Sequence, residues 1–373
     1  MDQIGRPDRG LPTTQLSVDI VVTNHNYGRF VEAAVDSALA QTHPRVQVVV
    51  VDDGSSDDSR ERLQRWADEV ELIFKENGGQ ASALNAGIAS CHGDITMLLD
   101  ADDVLKPDAA ERVAQAFAAD PGLSKVQFRM MYIDRAGRPT GRTKPAGHIE
   151  APAGDQRRAE LAFPFDIPWL PGGGTAFRAA DLRRVTPIPE ADFPGVGADW
   201  YVVHMTALLG KAGWIDEACV EYRVHGENAY EPSEPRLDLD RTRASIRYAD
   251  ATTGSLSRLA DELGLPRPQR ILSVSEVANR LISVRLEADR HPIPGDRVSS
   301  LAVDGIRAAR RRFDVALPMR LVLCAWLLAV AVMPRGIVVK LGELIFYPAL
   351  RPSWVNRLLG RWRRGDPAPR DGS

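Results

Sequence analysis

Four short apolar segments rich in β-branched residues, each followed by a helical pattern, constrain this chain more than any other feature. They are Ser17–Thr23 (SVDIVVT), Val46–Val51 (VQVVVV), Val70–Phe74 and Ile95–Leu99. Runs this short and this apolar read as strands, and Val46–Val51 is apolar enough to be buried on both faces. After the first, Phe30, Val31, Ala34, Val35, Ala38 and Leu39 recur at helical spacing. A second helix runs to about Asp68 with Ser56 or Asp57 as its cap, and a third from Asn77-Gly78-Gly79 to about Ser90. A fourth covers Asp108–Ala119, with Pro107 at the first helical position. Strands alternating with helices at this spacing predict an α/β fold, a parallel sheet with helices on both faces. In such a sheet, ligands bind outside the carboxyl ends of the strands.

Small polar and acidic residues gather at those ends: Thr23–Asn26, Asp52–Ser55 and Asp100–Asp103. No GxGxxG follows the first strand and no GxxxxGK[ST] occurs, which disfavours a dinucleotide fold and a P-loop hydrolase. Phosphates would then be met by a metal. Asp100 and Asp102 are separated by one residue, so on an extended strand end they point to the same side. Two such carboxylates can hold one hard cation, Mg²⁺ or Mn²⁺. Capping of the helix near Pro107 accounts for Asp103 but not for all three acids. Asp53, at the end of the second strand, strengthens the reading of a shared site.

Composition narrows the class further. Of 373 residues, 44% are hydrophobic and 26% charged, the net charge is −3, and the pattern is globular with no sign of a nucleic-acid partner. Cys91, Cys219 and Cys324 have neither pairing nor zinc spacing, which fits a reducing cytosol. Residues 1–16 form a polar tail with no apolar core of a signal peptide, so the expected location is the cytoplasm. Residues 301–373 carry thirteen Lys and Arg against five Asp and Glu, while the remainder carries 34 against 45. That basic tail holds the longest apolar run, the thirteen residues Leu321–Met333. A bilayer span needs about 20 residues, so the run is read as interfacial, re-entrant or buried, and peripheral attachment at the inner face of the membrane is favoured.

Several blocks together resemble the inverting family 2 glycosyltransferases: IVVTNHNYGRFVEAAVDSALAQT, VVVVDDGSSDDS, ENGGQASALNAGI and GDITMLLDADDVLKPD within the first 110 residues. Sparser matches follow at GGGTAFR (172–178), ADWYV (198–202) and YRVHGEN (222–228). The resemblance covers about three-fifths of the chain and implies the type A glycosyltransferase fold, a single Rossmann-like, mostly parallel sheet. It implies donor contacts from Thr23 and His25 beside the nucleobase, Asp53 accepting a ring N–H of a uracil-type base, and Asp100 near the ribose or metal. It implies Asp102 as metal ligand with His225 beside it, and Arg223 steadying the phosphates. Asp199 matches the family's carboxylate base, although Ala198 stands where the family usually has Glu. Gly173 and Gly174 match a loop on the acceptor side, where Trp200 also falls. Each has a plainer reading: Asp199 as a helix cap, His225 as a structural histidine, and Trp169, Trp200 and Trp214 as core.

The implied organisation is a catalytic domain over 17–235 (a nucleotide-sugar half to 120 and an acceptor half from 121), a helical extension over 236–313, and the basic apolar tail over 314–373. The implied activity is transfer of one sugar from a nucleoside-diphosphate sugar, most simply a UDP-sugar, to a glycan or lipid-linked acceptor in cell-surface polysaccharide or glycoconjugate synthesis. Arg361-Trp362 lacks the glutamine of the processive QxxRW motif and no long apolar helices occur, so a single addition is expected. Oligomer contacts are expected through the helical extension, and membrane contact through 314–364. Two alternatives stay open: metal-dependent nucleotidyl transfer, and a catalytically weak nucleotide-sugar-binding protein.

Overall fold

The computed structural model describes residues 16–147, 149–195, 197–226, 228, 236–347 and 350. Most of the expected N-terminal tail, and the basic segment beyond 350, lie outside the described residues. Among the described residues, nine strands form one sheet: β1 Val18–Asn24, β2 Val46–Asp53, β3 Glu71–Lys75, β4 Ile95–Asp100, β5 Val104–Leu105, β6 Leu123–Ile133, β7 Pro139–Lys144, β8 Thr175–Arg178 and β9 Lys211–Arg223. The order is β3-β2-β1-β4-β8-β6-β9-β5, with β7 also on β6. The α-helices among the described residues are α1 Gly28–Leu39, α2 Ser59–Leu63, α3 Gly79–Ala89, α4 Ala109–Ala119, α5 Arg157–Ala162, α6 Ala179–Val185, α7 Ala198–Thr206, α8 Leu239–Glu262, α9 Val274–Glu287, α10 Val298–Arg311, α11 Leu317–Val332 and α12 Arg335–Phe346.

The four expected strands are β1 to β4, and they pair in parallel. Their apolar runs alternate between two cores, as the two-residue period of a strand requires. Val21, Val49, Val51 and Leu98 face α3, α6, α7 and α8, whereas Ile20, Val22, Val50 and Met97 face α1 and α4. Gly87 of α3 allows the closest approach to the sheet, since a Cβ there would fall 2.3 Å from Val21 Cγ1. Beyond β4 the sheet is mixed: β8 runs antiparallel between β4 and β6, and β9 lies parallel to β6. Segments 17–120 and 121–223 therefore share one sheet. Two local expectations shift. The helix expected to reach Asp68 ends at Leu63 and continues as a 3₁₀ turn over Gln64–Trp66. Pro107 precedes α4 by two residues instead of starting it.

The helical extension breaks where Gly264–Pro268 and His291–Gly295 predict, between α8 and α9 and between α9 and α10. Helix α8 shares the core of α7 through Leu256 and Leu259, and helices α9 to α12 build a third core around Leu281, Leu301, Leu327 and Val338. The junction rests on Asp166, buried ahead of α9. Its carboxylate accepts from Val274 N (2.6 Å) and Ser275 N (2.9 Å) and faces Arg312 Nη1 at 3.3 Å. These are the orphan amides of a helix start, which a carboxylate satisfies together with the helix dipole. Asp166→Ala should destabilise the protein by about 2 kcal/mol, read as a lower melting temperature. An unchanged melt would contradict this role.

Candidate active site

The register of the parallel strands assembles the site. Thr23 is paired with Asp100 across β1 and β4, Asn24 with Asp52 across β1 and β2, and Asp53 with Lys75 across β2 and β3. Together these ends open onto a cavity of about 580 Å³. Thr23, His25, Asp53, Asp100, Asp102, Gly173, Asp199 and Trp200 line it, so eight of the residues expected from sequence converge. Arg223, His225 and Gly174 stand behind it.

Asp53 is held from two sides. Lys75 Nζ lies 2.6 Å from Oδ1, while Gly78 N and Gly79 N donate at 3.0 and 2.8 Å to its two oxygens. The carboxylate thus fixes the start of α3. His25 is oriented by its own contacts, Nδ1 against Asp53 O at 2.9 Å and the Asn77 amide at 3.1 Å. Asp52 accepts from Ser55 N and Asn24 Nδ2, which fixes the turn after β2. That arrangement leaves Asn24 Oδ1 buried with no protein partner, in a residue that lines the cavity.

Asp100, Asp102 and Asp103 place one carboxylate oxygen each within 4.8 Å of the others. Burial, and then the neighbouring charges of Asp102 and Asp199, push the Asp100 carboxyl up to about 8. Burial and the same cluster raise Asp103 well above the usual range. Asp103 Oδ1 accepts from Arg223 N at 2.9 Å, while Oδ2 is buried without a protein partner. Uncompensated carboxylates this close favour a bound proton or a bound cation. Three oxygen donors, one of them orphaned, fit a divalent cation of the Mg²⁺ or Mn²⁺ type.

The rest of the motif YRVHGEN supports this acidic loop from behind. Arg223 Nε donates to Asp102 O at 2.7 Å, and its guanidinium lies over the Phe30 ring at 4.9 Å. Its side chain therefore braces the loop and is turned away from the cavity expected for phosphates. His225, packed against Tyr27 and Phe30, brings Nε2 to 3.0 Å from Asp102 Oδ2. Asn228 Nδ2 holds Arg223 O at 2.7 Å and reaches Asp102 Oδ2 at 3.4 Å.

Across the cavity, Asp199 sits in the first turn of α7. The cap of that helix is Gly197, in the left-handed region at φ 101°, and Gln80 Oε1 accepts from Gly197 N and Ala198 N. Asp199 is therefore not the cap. Its Oδ2 accepts from Gly172 N at 2.8 Å, Oδ1 has no protein partner, and burial raises its pKa. Ala198 is fully buried in the core under α7 and is not part of the cavity wall. The three consecutive glycines face three ways. A Cβ on Gly172 would fall 2.8 Å from Asp199 Cβ, one on Gly173 would lie 3.9 Å from Asp100 Oδ2, and one on Gly174 would meet Met130 Sδ at 2.8 Å. Gly174 is thus required by packing, while Gly173 bares the backbone to the cavity. Of the three tryptophans, Trp169 is core, its indole N–H bonded to Glu160, and Trp200 reaches the cavity.

Gln80, Lys144, Tyr222 and Asn228 line the cavity without having been singled out from sequence. Asn228 lies inside YRVHGEN and was legible there. Lys144 has no local signal: the β6–β7 pairing Met130↔Lys144 carries it over the Tyr222 ring, within electrostatic reach of Asp199.

Residues 19–186 match the family model described as glycosyl transferase family 2. A glycosyltransferase of Nostoc sp. strain PCC 7120 is 33% identical over 219 residues, which cover 57% of this chain and 66% of that protein. The chondroitin synthase of Escherichia coli is 37% identical over 123 residues, 32% of this chain and 18% of that protein. The chain thus spans just under two thirds of the first relative and less than a fifth of the second. The crystal structure of S. aureus TarS 1-349 in complex with UDP-GlcNAc superposes with a TM-score of 0.52 at 15% identity, covering 90% of this chain and 91% of that one. At that identity the likeness is one of fold.

The raised carboxyls set a pH dependence. Between about 4, where an unfolded aspartate titrates, and about 8, the folded metal-free protein holds more protons than the unfolded chain. Stability should therefore fall as pH rises through that window. Mn²⁺, which displaces those protons, should raise the melting temperature more at pH 8 than at pH 5.5. Equal shifts at the two pH values would contradict the cluster as the cation site.

Proposed function

We propose that this chain, which belongs to glycosyl transferase family 2, moves one sugar from a nucleoside-diphosphate sugar to a hydroxyl of a glycan or lipid-linked acceptor, with inversion and without processive extension. One observation carries the reading. A single cavity has a three-carboxylate cluster on one wall and, on another, a buried carboxylate with a bare oxygen, joined by Gly172 and Gly173. Thr23, His25 and Asp53 line the part of the cavity assigned to the nucleoside, with a uracil-type base the simplest fit. Asp100, Asp102 and Asp103 would hold a divalent cation, Mn²⁺ or Mg²⁺. When bound, the cation neutralises charge gathering on the departing diphosphate.

The protein's own groups account for the remaining chemistry. The acceptor oxygen bonds to the anomeric carbon as the bond from that carbon to the diphosphate oxygen breaks, and Asp199 Oδ1 takes the hydroxyl proton. The Gly172 amide keeps Oδ2 fixed and turns the other oxygen to the reacting side. Lys144 offsets the negative charge near Asp199 and keeps that carboxyl ionised more readily than burial alone would allow. Trp200 offers an aromatic face to the acceptor sugar. Arg223, His225 and Asn228 act as positioning residues that keep Asp102 aimed at the cavity. Nucleotidyl transfer would release pyrophosphate instead of a nucleoside diphosphate, so the released product separates the two enzymatic readings. Ala198 gives no support to a weak binding protein, because that position lies in the core. The likeness to chondroitin synthase supports a role in polysaccharide synthesis, and we place the reaction in the cytoplasm beside the membrane that would hold a lipid-linked acceptor.

Asp199→Asn should reduce sugar transfer by about 10²- to 10⁴-fold while donor affinity stays within about twofold, read by nucleoside diphosphate release and by direct binding. Unchanged turnover in that variant would remove Asp199 as the base. An α-linked donor should give a β-linked product by NMR, and retention of configuration would contradict single displacement.

A further inference from the structure

Helix α11 is apolar on both sides, but only one side is covered. Met319, Leu327 and Val330 are buried in the core of the extension, whereas Leu317, Leu321, Leu328 and Val332 keep 66%, 61%, 45% and 72% of their surface exposed. Those four, at steps of four, seven and four residues, fall on one stripe of the helix. Met333 and Ile337, at the turn into α12, extend the exposed apolar surface. No acidic residue occurs between Asp314 and Glu343, and Arg335 and Lys340 are exposed within that stretch. On α10, which packs beside α11, Val303 and Arg310 are exposed, while Arg307 is paired with Asp304 at 3.2 Å.

We propose that this face of α11 and the start of α12 lies flat in the interface of a membrane containing anionic lipid. The sixteen residues of α11 extend only about 24 Å. Among the described residues no helix is long and apolar enough to cross a membrane. The opposite side of α11 is packed against α9 and α10, so the helix can insert only its exposed stripe, the geometry of an interfacial helix. Charge selects the partner. Exposed Arg335 and Lys340, in a stretch without acidic residues, complement anionic headgroups. A two-fold contact with a second copy would bring the patch onto itself and leave those cations without partners. This surface gives the membrane-side location a named site, and it can fail while the transfer chemistry stands, because lipid binding is read without donor or acceptor.

The test is flotation of the full chain with vesicles of phosphatidylcholine alone or with one third phosphatidylglycerol, beside light scattering without lipid. The expected result is binding to the anionic vesicles that weakens at 0.5 M NaCl. It should fall at least tenfold in Leu321→Glu/Leu328→Glu and severalfold in Lys340→Glu, with all variants melting as the parent does. Lys340→Glu leaves the apolar stripe intact, so its partial loss separates the electrostatic contribution from any disturbance of α11. Three results would overturn the proposal: no binding to anionic vesicles, binding unchanged in Leu321→Glu/Leu328→Glu but lost in a chain ending at residue 350, or a parent dimer that these two changes convert to a monomer. The second would assign the membrane contact to the segment after 350, and the third would make the face an interface between copies.

Discussion

Three aspartate carboxyls, each with an oxygen within 4.8 Å of the others at the end of a strand and largely buried, form the constraint on which the site depends. Such a cluster is unfavourable when fully ionised and unpartnered. The fold preserves it by rigid attachment. The Asp100 end is fixed by pairing with β1, where Ala101 N also donates to Thr23 O. The other end is fixed by the short strand β5 on β9 and by Arg223, which holds the backbone of Asp102 and the carboxylate of Asp103. Residues so far apart in sequence meet because β9 runs the length of β6 and ends beside the acidic loop.

The same economy of elements positions Asp199. Helix α3 begins where Asp53 captures its first amides, and the very next residue, Gln80, reaches across to the amides at the start of α7. The nucleoside side and the candidate base are therefore joined through the start of one helix. Gly172, where a Cβ would collide with Asp199, and Gly173, whose bare backbone lies beside the carboxylates, join base and acidic cluster. The helical extension contributes to this geometry at a distance, through α8 on α7 and through Asp166 at the start of α9.

Sequence patterns made β1, β2 and β4 legible because a strand buried on both faces leaves a short, continuous apolar signature, and the edge strand β3 by its alternation with helices. They also located Asp100 and Asp102, since strand-end position and two-residue spacing are local properties. Neighbours across the fold were not legible. The ion pair of Asp53 with Lys75 depends on the β2–β3 register, and the inward brace made by Arg223 depends on where β9 ends. Gly173 and Gly174 are identical in sequence terms, yet one faces the cavity and the other Met130. Lys144 belongs to a hairpin whose pairing brings it over the cavity, and nothing around it in the chain announces that. The apolar run Leu321–Met333 was visible at once, but which of its faces is covered is a property of packing against α9 and α10.

The most direct test of the central claim, that the acidic cluster and the strand ends form one donor site, is a calorimetric titration of UDP into the metal-free protein and into the protein with Mn²⁺. The account predicts binding that tightens at least tenfold with Mn²⁺ and loses that gain in Asp102→Ala. If neither UDP nor any other nucleoside diphosphate binds, or if binding is equally tight without metal and in Asp102→Ala, the cluster does not serve the donor and the account fails.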